Sequence, residues 1–233
     1  NRIAKKNKIF VLEDAAQSLG ARRDGKNSCN SSLISCTSFF PTKPLSCYGD
    51  GGAIFTSNKK LYEICKKIRS HGQYKKYYYS IQGVGGRLDT LQAAILLSKL
   101  DKFENENQLR IKKARYYIKI INNKNKLHKR NFNLCSYIAL NNNFNIYSQF
   151  SIFIRNRDKV KKYLENKKIF CSIYYPLPLN KQKVYKKIKK TNTPNAIKIS
   201  KNILHLPMGP YITKRQQDFV IKNLYDALIF YEN

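Results

Sequence analysis

Ser38-Phe-Phe-Pro-Thr-Lys43-Pro-Leu-Ser-Cys-Tyr-Gly-Asp-Gly-Gly52 is the stretch from which the rest of the chain is read. It links a strand candidate, Ser32 to Phe40, to a glycine turn at Gly49–Gly52 and a further strand candidate, Ala53 to Thr56. A lysine between a strand end and such a turn is in an unusual setting for a solvated side chain. The plainer reading, a surface lysine, starts well ahead in a chain this rich in lysine. Upstream, Ile9-Phe-Val-Leu12 is a short continuous apolar run, typical of a strand covered on both faces. It delivers Glu13-Asp14-Ala-Ala-Gln17 at its C-terminal end.

A lysine in a Ser/Gly-rich turn and an acid at a strand end are what a pyridoxal phosphate (PLP) enzyme requires. Lys43 would form the imine with the aldehyde, and burial beside a cationic ring lowers its pKa for attack. Asp14 would keep the pyridine nitrogen protonated; alternatively it is a helix N-cap ahead of Ala15-Ala16-Gln17. Gln17 is placed to bond the phenolic oxygen, or is a surface glutamine. Ser38 offers a hydroxyl to the phosphate, or simply ends its strand.

The net charge of +31 first suggests nucleic acid or an anionic surface. Lysine outnumbers arginine roughly three to one, and the basic residues are spread from Lys66-Lys67 to Lys186–Lys190 instead of gathering in one tail. Solvated lysine faces therefore read better than a dedicated nucleic-acid surface. The triple tyrosine Tyr77-Tyr78-Tyr79 beside Lys75-Lys76 nevertheless has the chemistry to stack on bases. The six cysteines form no Cys-x-x-Cys pair, and His71, His128 and His205 lie far apart, so no zinc site is expected. Scattered single cysteines fit a reducing cytoplasm. No apolar run approaches a membrane span and no signal peptide opens the chain.

Residues 1–105 read as alternating strand and helix, with a helix at Lys59–Ser70 and a glycine-punctuated loop at 71–86. A long helix starts near Leu88, with Asp89 or Thr90 as its cap, and runs past Tyr117. Its first half is apolar nearly all round, which predicts burial in the chain or in a partner. After an Asn/Lys-rich connection at 122–133, a smaller unit offers strands at Ser148–Ile154 and Phe170–Tyr174. Its helices are expected at Arg157–Lys167, Ala196–Asn202 and Thr213–Tyr231. The expected division is 1–105, part of a large cofactor domain, and 106–233, a linking helix with a small C-terminal domain.

Several motifs now stand in register. They are Asp14-Ala-Ala-Gln17-Ser-Leu-Gly-Ala, Ser38-Phe-x-Pro-x-Lys43 with Gly49-Asp-Gly-Gly, Arg69-Ser-His-Gly72, Gly83-Val-Gly-Gly-Arg-Leu-Asp-Thr-Leu-Gln-Ala-Ala-Ile-Leu96, Tyr175-Pro-Leu-Pro-Leu179 and Leu204-His-Leu-Pro-Met208. Together they resemble the DegT/DnrJ/EryC1/StrS sugar aminotransferases over nearly the whole chain. The resemblance implies an α/β protein: part of a fold-type-I PLP transferase (aspartate aminotransferase-like), the C-terminal part of the large domain plus a small α+β domain. It implies pyridoxal 5′-phosphate as cofactor, a homodimer, and transfer of an amino group from glutamate to a keto-sugar nucleotide for surface polysaccharide or lipopolysaccharide synthesis. Lys43 matches the imine lysine and proton carrier, Asp14 the pyridinium partner, Gln17 the phenolate contact and Ser38 a phosphate ligand. The Gly-Val-Gly-Gly-Arg87 loop looks most like enzymes acting on UDP-linked 3-keto uronic acid sugars, in which Arg87 would contact substrate from the neighbouring subunit, with Tyr175 and Asn180 also at substrate positions. The chain departs from the family in three ways. It lacks the stretch that relatives carry before the Asp motif, it has Gly85 where many have Asn, and it has Asn180 where His is usual. The rival readings are a non-catalytic fragment of that fold acting in interaction or regulation, and a basic nucleic-acid binder. A sugar dehydratase of the same family would carry His at the position of Lys43.

Overall fold

The computed structural model describes residues 1–127, 142–188 and 191–232, which divide into two units. The first holds Asn1–Gln108 and the described residues up to Ser148; the second holds the described residues from Leu109 to Leu127 and from Gln149 onward.

The first unit begins with a short helix α1 (Arg2–Lys6) and the strands β1 (Leu12–Asp14), β2 (Arg22–Arg23), β3 (Lys26–Asn27), β4 (Ile34–Ser38) and β5 (Gly52–Phe55). It continues through helix α2 (Lys59–Arg69), strands β6 (Gln73–Lys75) and β7 (Tyr78–Tyr79), the start of helix α3 (Thr90–Leu127) and strand β8 (Asn143–Phe144). Its main sheet has the order β1-β4-β5, with β4 parallel to β1 and antiparallel to β5. Ser35 and Thr37 point to the buried face of β4, where each hydroxyl finds a carbonyl: Ser35 Oγ donates to Cys29 O and Thr37 Oγ1 to Ala15 O. Buried hydroxyls need such partners.

Ile9–Leu12 does not form the covered strand expected of it. The strand starts only at Leu12, and Phe10 and Leu12 are 87% and 65% exposed. The outer edge of β1 pairs with no strand among the described residues, so the apolar run has nothing to lie against. Helix α2 is similarly uncovered. Asn58 caps it by accepting from Leu61 N, and Lys66, Lys67 and Arg69 in its last turn suit the helix dipole. Yet none of its residues is buried, because a cavity of about 1360 Å³ lies beside it, walled in part by Phe55, Ile68, Leu88 and Phe103.

The 71–86 segment contains a bulged hairpin, β6–β7, in which Gln73 pairs with Tyr79 and Lys75 with Tyr78. Its root demands glycine. Gly72 sits at φ +80°, and a side chain there would strike the Ile81 carbonyl.

Helix α3 runs unbroken from Thr90 to Leu127, since no glycine or proline interrupts it; the rest of the 122–133 connection lies outside the described residues, as do His128 and Cys135. Only one side of its first half is covered. Leu96 packs with Phe39, Leu45 and Cys47, whereas Leu91, Leu97 and Leu100 stay largely exposed.

The second unit carries the denser core. Strand β9 (Phe150–Phe153) precedes helices α4 (Arg157–Asn166) and α5 (Pro194–Asn202), strand β10 (Ile203–Leu206) and helix α6 (Lys214–Glu232). β9 and β10 pair antiparallel, and Ile152, Leu164, Leu204, Ile221 and Leu228 are at most 1% exposed. Phe170–Tyr174 reads as a strand in the sequence but forms only an isolated bridge between Ser172 and His205. Thr213 and Gln216 build a reciprocal capping box ahead of α6, with Gln216 N donating to Thr213 Oγ1 and Thr213 N to Gln216 Oε1.

His205 lies in this core, its ring 5.0 Å from that of Tyr174. Burial pushes its pKa below the ordinary 6.5, against the opposing effect of the Ser172 carbonyl 3.2 Å from Nδ1. A folded-state pKa below the unfolded one means that the unfolded chain takes up the proton first as pH falls. The contribution is fully present above about 6.5 and is lost as pH drops through and below that value. Thermal midpoints measured from about pH 7 to 5 are expected to fall more steeply for the native chain than for His205→Asn.

Candidate active site

β1 and β4 run parallel, so their C-terminal ends open on the same edge of the sheet. Open α/β sheets take their ligands outside these ends. Asp14 is the last residue of β1 and stands in register with Cys36 of β4. Ser38, the last residue of β4, lies on the same face about 7 Å further along the strand. The chain then turns, with Lys43 N donating to Phe40 O at 2.8 Å, and this turn presents Lys43 just past the strand end.

Asp14 is exposed, and one of its oxygens, Oδ1, accepts from Ala16 N at 2.9 Å. No helix follows it; residues 16–20 form turns, so the helix-cap alternative does not apply. Gln17 is exposed, and its carbonyl accepts from Ser148 Oγ. Ser38 Oγ accepts from Phe40 N at 3.2 Å, which leaves its hydroxyl hydrogen to donate elsewhere. Lys43 is half-buried and enters no ion pair among the described residues.

The loop after Lys43 is fastened from three directions. Cys47 N donates to Phe39 O and Phe39 N to Gly51 O, folding the loop back on the strand. Cys47 is fully buried in the cluster with Phe39, Leu45 and Leu96. From α3, Gln92 accepts from Tyr48 N at 2.7 Å, and Lys99 donates to Ser46 O at 2.7 Å. The sequence reading assigned neither Gln92 nor Lys99 a task. Their spacing around Leu96, at −4 and +3, puts all three on one helix face, and that is the signal that identifies them as loop anchors.

Gly52 makes the turn possible. A Cβ there would lie 2.7 Å from the Thr37 carbonyl oxygen, a backbone atom held by the β4–β5 ladder. Gly52→Ala is expected to lower stability by about 1–3 kcal/mol through forced separation of the strands, read as a lower urea midpoint at unchanged slope.

Arg87 is exposed and ends the turn Gly83–Arg87, which is tied to α2 by Gly86 N donating to Arg69 O. Gly85 lies against the His71 ring, 2.9 Å from where its Cβ would stand, so asparagine at this position would collide with that ring. Tyr175 and Asn180 belong to the second unit. Tyr175 is 68% exposed, with its ring 5.6 Å from that of Tyr174. Asn180 Nδ2 donates to Thr191 O and lies 3.1 Å from Thr193 Oγ1, so its side chain braces its own loop.

The sequence model of the DegT/DnrJ/EryC1/StrS aminotransferase family matches residues 1–225. The chain is 43% identical over 212 residues to the UDP-2-acetamido-2-deoxy-3-oxo-D-glucuronate aminotransferase of Pseudomonas aeruginosa, covering 91% of this chain and 56% of that protein. Among solved structures, a DegT DnrJ EryC1 StrS aminotransferase from Brucella abortus superposes with a TM-score of 0.85 at 35% identity, over 97% of this chain and 59% of the other. NtdA from Bacillus subtilis, solved with bound cofactor PMP, gives a TM-score of 0.84 at 27% identity, over 98% of this chain and 52% of its own. The chain thus spans a little over half the length of the relatives it matches. Its fold is a partial fold-type-I transferase of mixed α/β class. With the Asp14, Ser38 and Lys43 motifs gathered at one end of two parallel strands, and the matching segments following in order to the last helix, this chain belongs to the DegT/DnrJ/EryC1/StrS aminotransferase family.

Proposed function

We infer that the chain is the lysine-bearing part of a PLP-dependent aminotransferase that moves an amino group from glutamate to a keto-sugar nucleotide. The observation that carries this reading is Asp14 at the C-terminal end of β1 with Lys43 in the turn that follows the adjacent parallel strand β4. The substrate class, a UDP-linked 3-keto uronic acid sugar, is supported by the activity for which the Pseudomonas aeruginosa relative is named. Synthesis of surface polysaccharide or lipopolysaccharide is the process that would use such a product.

The residues present fit pyridoxal 5′-phosphate. Among the described residues, a carboxylate with one oxygen still open, a hydroxyl with a free hydrogen and an amine outside any ion pair lie at one end of the sheet. When bound, the cofactor supplies an electron sink that allows an amino group to be exchanged for a carbonyl oxygen. Asp14 would balance positive charge on the pyridine nitrogen. Ser38 would donate to the phosphate, and Gln17 would meet the phenolic oxygen. Lys43 Nζ would be the amine that holds the cofactor and, when free, would take up and return a proton. Arg87 would offer a guanidinium to the substrate of the neighbouring subunit. In the second unit Tyr175 would offer a phenol, and Asn180 steadies its own loop.

A homodimer fits the uncovered face of α3, where Leu91, Leu97 and Leu100 are 79%, 66% and 51% exposed. Among the described residues no helix is long and apolar enough to cross a membrane. The free thiols of Cys29, Cys36, Cys47, Cys65 and Cys171 fit a reducing cytoplasm.

The test is an absorbance titration of the purified chain with PLP, followed by glutamate and then a UDP-linked keto-sugar. A visible band that bleaches with glutamate and returns with the sugar supports the reading. A chain that takes up PLP but shows no response to glutamate supports the non-catalytic alternative, for which the uncovered Leu12 and Ile54 of the sheet, with Phe10 just ahead of it, are the supporting observation.

A further inference from the structure

The β6–β7 hairpin has no task in the transamination reading, yet it concentrates two kinds of chemistry. Tyr74, Tyr77, Tyr78 and Tyr79 are all between 55% and 74% exposed, although rings of this size usually find cover. Lysines accompany the rings: Lys75 Nζ lies 5.4 Å from the centroid of Tyr78 and Lys76 Nζ 5.2 Å from that of Tyr77. Tyr78 also has the Tyr74 ring 6.2 Å away at a tilt of 59°, yet it and Tyr77 remain more than half exposed. No acidic residue stands between Glu63 and Asp89, a stretch that also carries Lys66, Lys67, Arg69 and Arg87. Open π-faces within reach of unopposed ammonium groups are suited to a planar base joined to phosphate.

The hairpin is also firmly rooted. His71 N donates to Val84 O, Val84 N to Ile68 O and Gly72 N to Lys67 O. A side chain at Gly83 would strike the Gly72 nitrogen, so the two arms of the root are in direct backbone contact. The root is continuous with the turn that ends in Arg87, and three residues of strand put the tip about 10 Å from it.

We propose that the hairpin binds the nucleoside diphosphate of the sugar nucleotide. The base stacks on Tyr77 and Tyr78 at the tip, Lys75 and Lys76 take the diphosphate, and Arg87 at the root is left for the sugar. The identity of the ligand rests on the substrate class inferred above. A single base suits the site better than a strand of RNA, because the stacking rings are confined to one tight turn while the remaining lysines are scattered over the chain.

The test is calorimetric titration of the full chain with UDP, uridine and inorganic pyrophosphate. UDP is expected to bind more tightly than either part alone. Replacing both tip rings (Y77A with Y78A) weakens UDP about tenfold, whereas Y77F with Y78F binds as the native chain does, because the ring face is kept. Replacing Lys75 and Lys76 by alanine brings UDP down to the affinity of uridine. Pyrophosphate binding as tightly as UDP, or ring-less variants binding UDP undiminished, would overturn the proposal. So would a short oligouridylate that displaces UDP at lower concentration, which points to nucleic acid instead. The PLP absorbance band is recorded on the same samples. Its absence throughout would sink the aminotransferase reading, while the UDP titrations still decide the hairpin.

Discussion

Lys43→Ala is expected to abolish amino transfer, with a loss of at least about 10⁴-fold, and to remove the visible absorbance that PLP gives with the native chain. On the proposed reading two functions would vanish with one side chain: the tether to the cofactor and the base that moves the proton. The fold is expected to survive, because the half-buried Lys43 side chain enters no ion pair among the described residues and the turn bond from its backbone nitrogen to Phe40 O does not need it. Lys43→Arg separates charge from chemistry. Guanidinium keeps the positive charge but does not lose its proton under working conditions, so this variant is expected to be as inactive as the alanine one. Borohydride reduction with PLP followed by mass analysis locates the attachment, and single-turnover kinetics with glutamate gives the rate. A Lys43→Ala chain that transfers amino groups within tenfold of the native rate removes Lys43 from the mechanism.

Tyr117→Ala is expected to cost about 3–5 kcal/mol, a large part of the 5–15 kcal/mol typical of a whole domain. Tyr117 has no exposed surface, its ring is 4.9 Å from that of Phe150, and its hydroxyl donates to Pro207 O at 3.0 Å. Burial accordingly pushes its pKa far above the ordinary phenol value. Tyr117→Phe keeps the ring and loses only the hydrogen bond, for a cost near 1 kcal/mol. Urea unfolding followed by circular dichroism distinguishes the two. An alanine variant with the midpoint of the phenylalanine one would mean that the ring packs less tightly than its contacts indicate.

Where local pattern and tertiary packing agreed, the sequence was readable. The uninterrupted run after Arg87 became α3, Thr213 became the cap of the last helix, and the strand candidate ahead of Lys43 became β4. Pairings between distant segments were not readable. β2 meets β8 through Arg22 and Phe144, with more than a hundred residues between them and no shared pattern. β10 follows directly on α5, so its four residues read as a frayed helix end until β9 is seen beside them. The hairpin at 73–79 was obscured by its bulge at Tyr74, which breaks the alternation by which strands are recognised. Asn180 could be placed at a substrate position by motif alone, whereas its engagement with Thr191 and Thr193 is visible only once the loop has closed.

The glycine contact at the root of the β6–β7 hairpin divides that segment into parts with opposite mutational freedom. Gly72 and Gly83 admit no side chain, whereas the residues of the tip touch little but one another. Substitution at 74–79 therefore leaves the sheet undisturbed, and a lineage could retune what its tip recognises while inheriting the anchor unchanged.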